Sequence, residues 1–257
     1  MSNLLKKVNL LNKFKHRVSS YLFPLVETDA EKAYDLWSLS YDAQPDNLML
    51  ALDETLFSEL IAKVDFHDKI VVDIGCGTGR QWKKIYAKQP ARVIGYDVSE
   101  GMLRVLKDKY SDAQLYQLKT NHLTELGDNS CDIIVSTLAI AHIKDIEAAF
   151  IEWARVLKSD GQIIITDYHP NVLSKGGDRT FTHNGKLIAI KNYVHPIAKI
   201  GEIVSGLGFT MDEFIEKKID ESVKSYYEKR QALKVFEQFR GSGIIYGAYL
   251  TKRDAAK

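Results

Sequence analysis

The chain has 257 residues, 45% hydrophobic and 27% charged, with a formal net charge of +1, the make-up of an ordinary soluble domain large enough to bury a substantial core. Near-neutrality removes any global electrostatic case for a nucleic-acid partner, and no apolar run approaches the roughly 20 residues that span a bilayer. Two cysteines, Cys76 and Cys131, without CxxC spacing argue against a disulfide framework or a metal site and for a reducing, cytoplasmic setting.

The first predicted element is a helix over residues 4–22. Leu4, Val8, Leu11, Phe14, Val18 and Leu22 share one stripe, and Lys6, Lys13 and Arg17 face away. It reads as a helix docked on the body of the protein, with membrane-surface binding as the alternative and no stable insertion expected. Its lysines also interrupt any apolar leader core. "AYDLWSLSYDAQPDN" (33–47) then carries a helix expected to stop near Pro45. Residues 1–45 are thus expected to form an N-terminal helical lid or docking segment, with Tyr34, Trp37 and Tyr41 covering the ligand. Residues 46–257 would form the main domain.

From residue 69 strands and helices alternate. "KIVVDI" (69–74) is an apolar run of strand length, as a parallel strand covered on both faces requires. A helix is expected from about Thr78–Arg80, a strand at 92–97, and a helix capped by Ser99. Strands at 113–118 and 132–138, a helix over 146–158, a turn at Asp160-Gly161 and a strand at 162–168 continue the pattern. The alternation predicts an α/β, doubly wound parallel sheet. The rhythm breaks at 179–193, where two strands meet at Asn184-Gly185, a strong hairpin signal. A helix near 196–207, a strand near 209–219, a helix near 222–238 and a final strand at 243–251 follow, the last expected to be antiparallel.

"VVDIGCGTGR" (71–80) carries the chemistry. A dinucleotide loop reads G-x-G-x-x-G; here Gly75, Gly77 and Gly79 read G-x-G-x-G, and Arg80 stands where the last glycine would be. Bare backbone lets a ligand approach closely. Asp73, ahead of the loop, would repel a pyrophosphate and suit an ammonium group. Asp97, about twenty residues on, can accept hydrogen bonds from a ribose diol. A ligand with a ribose and an amino-acid end but no phosphates fits, and S-adenosylmethionine is such a ligand. A nicotinamide-dependent oxidoreductase is disfavoured by Arg80 and Asp73, and a non-catalytic binding role by the intact loop and Asp97.

"VVDIGCGTGR", "GYDVSEGML", "DNSCDIIVSTLAIAHI" and "WARVLKSDGQIIITD" together resemble, in order and spacing, the motifs of class I S-adenosylmethionine-dependent methyltransferases, above all the broad group containing the ubiquinone and menaquinone biosynthesis enzymes. The resemblance covers residues 35–170. It implies a Rossmann-like sheet of seven strands with the last antiparallel, here with N-terminal helices and an inserted hairpin lid. It places Asp73, Gly75, Cys76, Gly77 and Gly79 around the methionine end of the cofactor, Asp97 on the ribose, and Val98 and Met102 beside the adenine. The family's acidic residue toward the adenine amino group is missing from "LKTNHLTEL", so Thr120, Asn121 or His122 is expected to substitute.

Methyl transfer to oxygen usually needs a base, and transfer to carbon needs an enol deprotonated. The candidates are His169, at a strand end in "TDYHP", His195, returning from the hairpin in "NYVHP", and His142 in "LAIAHI". No short ligand spacing supports a metal. No Asn, Asp or Ser precedes a Pro-Pro-aromatic stretch, which argues against methylation of bases or glutamine. The sequence reads as a small-molecule methyltransferase acting on a hydroxyl or carboxyl oxygen, with a carbon methyltransferase on a quinone-like or lipid acceptor as the alternative. It leaves the oligomeric state open.

Overall fold

The computed structural model describes residues 25–44 and 46–253, so the stripe over residues 4–22 lies outside the described residues, as does Pro45. A strand β1 (Leu25–Thr28) leads into helix α1 (Ala30–Trp37), and helix α2 (Leu48–Ile61) enters the main sheet. That sheet is built from β2 (Ile70–Ile74), β3 (Arg92–Asp97), β4 (Gln114–Gln117), β5 (Cys131–Thr137) and β6 (Leu157–Tyr168). Between them run α3 (Trp82–Tyr86), α4 (Glu100–Lys109) and α5 (Ile146–Val156). After β6 come α6 (Pro170–Leu173), the hairpin β7 (Thr180–His183) and β8 (Lys186–Ile190), and α7 (Ile197–Gly206). Strand β9 (Phe209–Lys218), helices α8 (Lys224–Lys229) and α9 (Leu233–Phe239) and strand β10 (Gly243–Lys252) complete the described chain.

The seven strands lie in the order β4-β3-β2-β5-β6-β10-β9. Strands β2 to β6 pair in parallel, and β10 runs antiparallel to both β6 and β9. Consecutive residues in a strand point to opposite faces, and both faces are covered. Val72, Ile94, Ile134 and Ile163 pack with Phe150 and Trp153 of α5 and Ile200 of α7. Their neighbours Val71, Val93, Ile133 and Ile164 pack with Phe57 and Leu60 of α2 and with Trp82. This is why the strands read as unbroken apolar runs.

A second, three-stranded sheet has the order β1-β8-β7. Asn184 (φ 49°) and Gly185 (φ 71°) make the hairpin turn, the left-handed pair a two-residue connection needs. Strand β1 then joins in parallel, with Leu25 opposite Leu187 and Thr28 opposite Ile190. Trp37 of α1 stacks on Phe181 at 4.4 Å between ring centroids, and Ile188, Ile190 and Met102 close the cluster. The N-terminal segment therefore contributes a strand as well as a helix.

Other differences from the sequence reading are local. Helix α2 was not anticipated. The helix after the glycine loop begins at Trp82, because the loop runs through Gln81. The expected turn at Asp160-Gly161 lies inside β6, where the pairing shifts between Cys131–Leu157 and Ile133–Gln162. The helix expected over 222–238 is divided near Gln231, which takes a left-handed φ of 53°.

Candidate functional site

Strand order reverses between β2 and β5, so the chain leaves their carboxyl ends in opposite directions and opens a crevice. A cavity of about 270 Å³ lies there. Gly75 and Gly77 after β2, Asp97 and Val98 after β3, and Leu138 and Ala139 after β5 form part of its wall.

The loop glycines do different jobs. All three have left-handed φ values, 75°, 53° and 74° for Gly75, Gly77 and Gly79. A Cβ on Gly75 would meet the Ala139 Cβ at 2.4 Å, so two loops approach each other there; a Cβ on Gly77 would meet nothing within 4 Å. The open side of Gly77 belongs to the cavity, and its N–H donates to Asp97 Oδ2 at 2.8 Å. A Cβ on Gly79 would strike Leu106 Cδ1 at 2.2 Å. Gly79 thus permits helix packing and is not on the cavity wall. Cys76 is also off the wall; its amide donates to Tyr96 O at 3.0 Å, and burial pushes its thiol pKa well up.

Asp97 is 7% exposed and also accepts Ser99 N–H at 2.8 Å. Burial raises its pKa to about 6 against the pull of those two amide bonds. Each oxygen retains acceptor capacity, and the residue lines the cavity with Val98 and Met102. Asp73 does not. It is buried, its Oδ2 accepts Trp82 Nε1–H at 2.7 Å, and Oδ1 has no partner among the described residues. Burial drives its pKa to about 7. Asp73 anchors Trp82 behind the loop through Oδ2 and stands off the wall of this cavity.

Of the three substitutes for the missing acid, Thr120 and Asn121 line the cavity. Asn121 donates Nδ2–H to Asp145 O at 3.0 Å, which leaves Oδ1 as an acceptor. His122 instead is exposed and pairs with Glu152 at 2.7 Å, so it is removed from the cofactor set.

The histidines are also sorted by position. His169 is 5% exposed and away from the cavity; Nδ1 accepts Asn171 N–H at 3.1 Å, capping α6, and Nε2 meets Glu216 at 2.8 Å. His195 Nε2 lies 2.8 Å from Ile143 O, and the ring is absent from the wall. Neither occupies the place of a base. His142 does line the cavity. Its Nδ1 is 3.1 Å from Lys191 O and must donate there, so Nε2 accepts from Tyr34 O–H at 2.9 Å. Burial, aided by the Arg179 charge, lowers the His142 pKa to about 4.

Tyr34, Tyr41 and Arg179 complete this part of the wall. Arg179 was not singled out by sequence; an arginine just ahead of a hairpin carries no motif. Helix α1, which supplies Tyr34, is latched by Asp35, whose Oδ1 accepts Ser99 Oγ–H at 2.6 Å and Gly101 N–H at 2.8 Å. Among the described residues no group of three His, Cys, Asp or Glu could hold a metal, and no helix is long and apolar enough to cross a membrane.

Residues 72–165 match the family model described as a methyltransferase domain. The chain is 30% identical over 116 residues to a ubiquinone/menaquinone biosynthesis C-methyltransferase of Campylobacter jejuni, covering 43% of this chain and 48% of that one. It is 32% identical over 114 residues to a malonyl-[acyl-carrier protein] O-methyltransferase of Gallionella capsiferriformans, covering 41% and 39%. The chain thus spans about half or less of the length of these curated relatives. A solved S-adenosylmethionine-dependent methyltransferase from Mesorhizobium loti shares the fold with a TM-score of 0.58 and 17% identity, over 76% of this chain and 97% of that one.

Proposed function

We propose that this chain, which carries a class I S-adenosylmethionine-dependent methyltransferase domain, moves the methyl group of S-adenosylmethionine to an oxygen of a small-molecule acceptor. One observation carries the reading: a single cavity brings the Gly77 backbone and Asp97 together with Tyr34, His142 and Arg179. The first pair fits the cofactor, with open backbone at Gly77 and a carboxylate able to accept from a ribose diol. Val98, Met102 and the Asn121 acceptor fit its adenine. When bound, the cofactor supplies an electrophilic methyl on a sulfonium.

The remaining wall deals with the acceptor. Tyr34 donates its O–H hydrogen bond to His142 Nε2, which leaves the phenolic oxygen's lone pairs to accept from an entering acceptor that carries a hydroxyl. A His142 held near 4 is a weak base at neutral pH, and general bases work best near the operating pH. An oxygen that arrives already ionised needs no strong base. Within the oxygen reading, a carboxyl therefore suits the site better than an alcohol. Residues 25–41 and the hairpin would act as the cover that excludes water and aligns the two reactants.

A second reading rests on a different observation. A cavity of about 710 Å³ is walled in part by Leu48, Met49, Val172, Phe239 and Ile244, with Tyr168 beside them. Tyr168 also packs under Arg179, next to the first cavity. A space of that size, whose wall joins these apolar side chains to polar ones such as Asn47, Asp178 and Arg230, suits a quinone-like or lipid acceptor with an apolar body and polar substituents, methylated at carbon. The test is turnover in a metabolite extract with S-adenosylmethionine carrying an isotope-labelled methyl. A product with the label on oxygen is expected. A carbon-bound label selects the second reading, and failure of the protein to bind S-adenosylhomocysteine rejects both.

A further inference from the structure

Arg179 is 4% exposed, yet it lines the cavity. Its guanidinium carbon lies 5.3 Å from the Tyr34 ring centroid, 5.5 Å from Trp37, 5.7 Å from Tyr41 and 5.6 Å from Tyr168. Of five N–H donors, one serves Tyr41 Oη at 2.7 Å and one reaches Leu138 O at 3.4 Å. No carboxylate among the described residues pairs with it. Asp167 feels its charge, but the Asp167 oxygens accept the Ala141 and Tyr168 amides, each at 2.6 Å.

A buried charge without a counter-ion is costly. Aromatic faces attract a cation without neutralising it. Every ring around Arg179 is such a face, so the site is one anion short. We propose that Arg179 is the recognition residue for a carboxylate on the acceptor. This rests on the methyltransferase reading and narrows its substrate class to carboxylic acids.

The chemistry selects this anion. A guanidinium presents its donors in a planar fork that matches a carboxylate. One buried cation balances one negative charge; the other cations on the wall, Lys119 and Lys144, are both exposed. His142 already donates Nδ1–H to Lys191 O. Lys119 pairs with Glu31 at 3.2 Å and is exposed. A phosphate dianion would find one buried cation for two charges, and with a neutral acceptor the only anion left for Arg179 would be the carboxylate of the cofactor's amino-acid end, a pairing that a large loss of S-adenosylhomocysteine affinity in Arg179→Gln would reveal.

Calorimetry on the full chain tests this. S-adenosylhomocysteine is titrated first, and its failure to bind would reject the methyltransferase reading and this inference with it. The loaded protein is then titrated with acetate, propionate and benzoate, each against its amide. At least one acid should bind about tenfold or more tightly than its amide, and Arg179→Gln should abolish the preference while S-adenosylhomocysteine affinity stays within about threefold. Arg179→Lys keeps the charge but loses the fork; it should fold, retain the preference and weaken acid binding about fivefold. If S-adenosylhomocysteine binds and no acid exceeds its amide, this inference alone fails. It fails equally if the preference survives Arg179→Gln or, should that variant not fold, if Arg179→Lys leaves acid binding unchanged.

Discussion

Asp97 holds a carboxylate that accepts two backbone amides and is still pushed to about 6 by burial. A folded pKa above the unfolded value of about 3.9 means the folded chain binds the proton more tightly. This contribution to stability is present at low pH and is lost as pH rises from about 4 through 6. A ribose diol donates to the ionised form, so cofactor affinity should rise over the same window. Calorimetry with S-adenosylhomocysteine should show tighter binding at pH 7.5 than at pH 5. Asp97→Asn should weaken binding by roughly 1.5–3 kcal/mol at the higher pH and flatten the dependence. Asp73, raised to about 7, also titrates, so the difference between variant and wild type is the quantity to read. Equal pH dependence in both would remove Asp97 from the ribose. The loop glycines separate in the same way. Gly75→Ala combines a left-handed φ with a 2.4 Å clash and should cost about 2–4 kcal/mol in thermal or denaturant unfolding. Gly77→Ala meets no atom and should cost about 1–2 kcal/mol, its larger effect falling on cofactor affinity; the reverse ranking would contradict the packing described. That Gly75, Gly77 and Asp97 share one cavity wall was legible because a strand, a bare loop and an acid at the end of the next strand stand at the spacing of adjacent parallel strands. His169 and His195 stand off the cavity wall for a common reason. Sequence places a histidine near a strand end or a hairpin return, but not whether the α6 cap or the Ile143 carbonyl claims its ring nitrogens.

The cover is made of elements whose separate signals differ greatly in strength. The Asn184-Gly185 turn was legible because few residue pairs accept two left-handed conformations in succession. The pairing of β1 with β8 was not, since it joins segments far apart in the chain and nothing in "LVET" names its partner. Helix α2 escaped because its buried stripe of Met49, Asp53, Leu56, Phe57 and Leu60 is joined by further apolar residues, Leu48, Leu50, Ala51 and Leu52, several of them partly buried, which blurs the one-sided stripe that periodicity detects. Its N-cap is ordinary, with Asn47 Oδ1 accepting the Met49 and Leu50 amides at 3.0 and 3.2 Å. Helix α1 is hydrogen-bonded to the start of α4 through one side chain, Asp35, beside the apolar packing of Trp37 with Met102. Removing that carboxylate takes two hydrogen bonds from Ser99 and Gly101, and Asp35→Ala should cost about 1–2 kcal/mol. Since α1 carries Tyr34, kcat should fall about tenfold. Asp97 and Gly77, proposed to hold the cofactor, belong to other elements, so S-adenosylhomocysteine affinity should change by less than threefold. A tenfold loss of cofactor affinity with unchanged kcat would show that Asp35 supports the cofactor pocket rather than the cover.

At the scale of the molecule, the two parts proposed as the roof of the crevice, residues 25–41 and the hairpin, share one small apolar cluster. Trp37 and Tyr41 come from the N-terminal side, Phe181, Ile188 and Ile190 from the hairpin, and Met102, with partly buried Leu50, from the rest of the chain. The seven-stranded sheet, by contrast, is packed on both faces. Local opening requires only the contacts of the unit that opens, so regions with few buried apolar contacts open at lower free energy than the whole protein. The roof should therefore open without the sheet. Its two parts should open together, because β1 pairs with β8 and Trp37 stacks on Phe181. A ligand bound beneath it stabilises the closed form by RT ln(1 + [L]/Kd), about 2.7 kcal/mol at one hundred times Kd, where it binds only that form. Amide hydrogen exchange on the full chain, with and without saturating S-adenosylhomocysteine, measures this directly. Peptides spanning residues 25–41 and 180–190 should exchange faster than those of β2, β5 and β6 in the free protein. On binding, both should slow by similar factors. Phe181→Ala should weaken that coupling by removing the stacked partner of Trp37, at about 3–5 kcal/mol of local stability, and should speed exchange in the N-terminal peptide although the substitution lies in the hairpin. If only one segment is protected by ligand, or if Phe181→Ala leaves the N-terminal peptide unchanged, the roof is two independent flaps. Access to the crevice would then be governed by each separately.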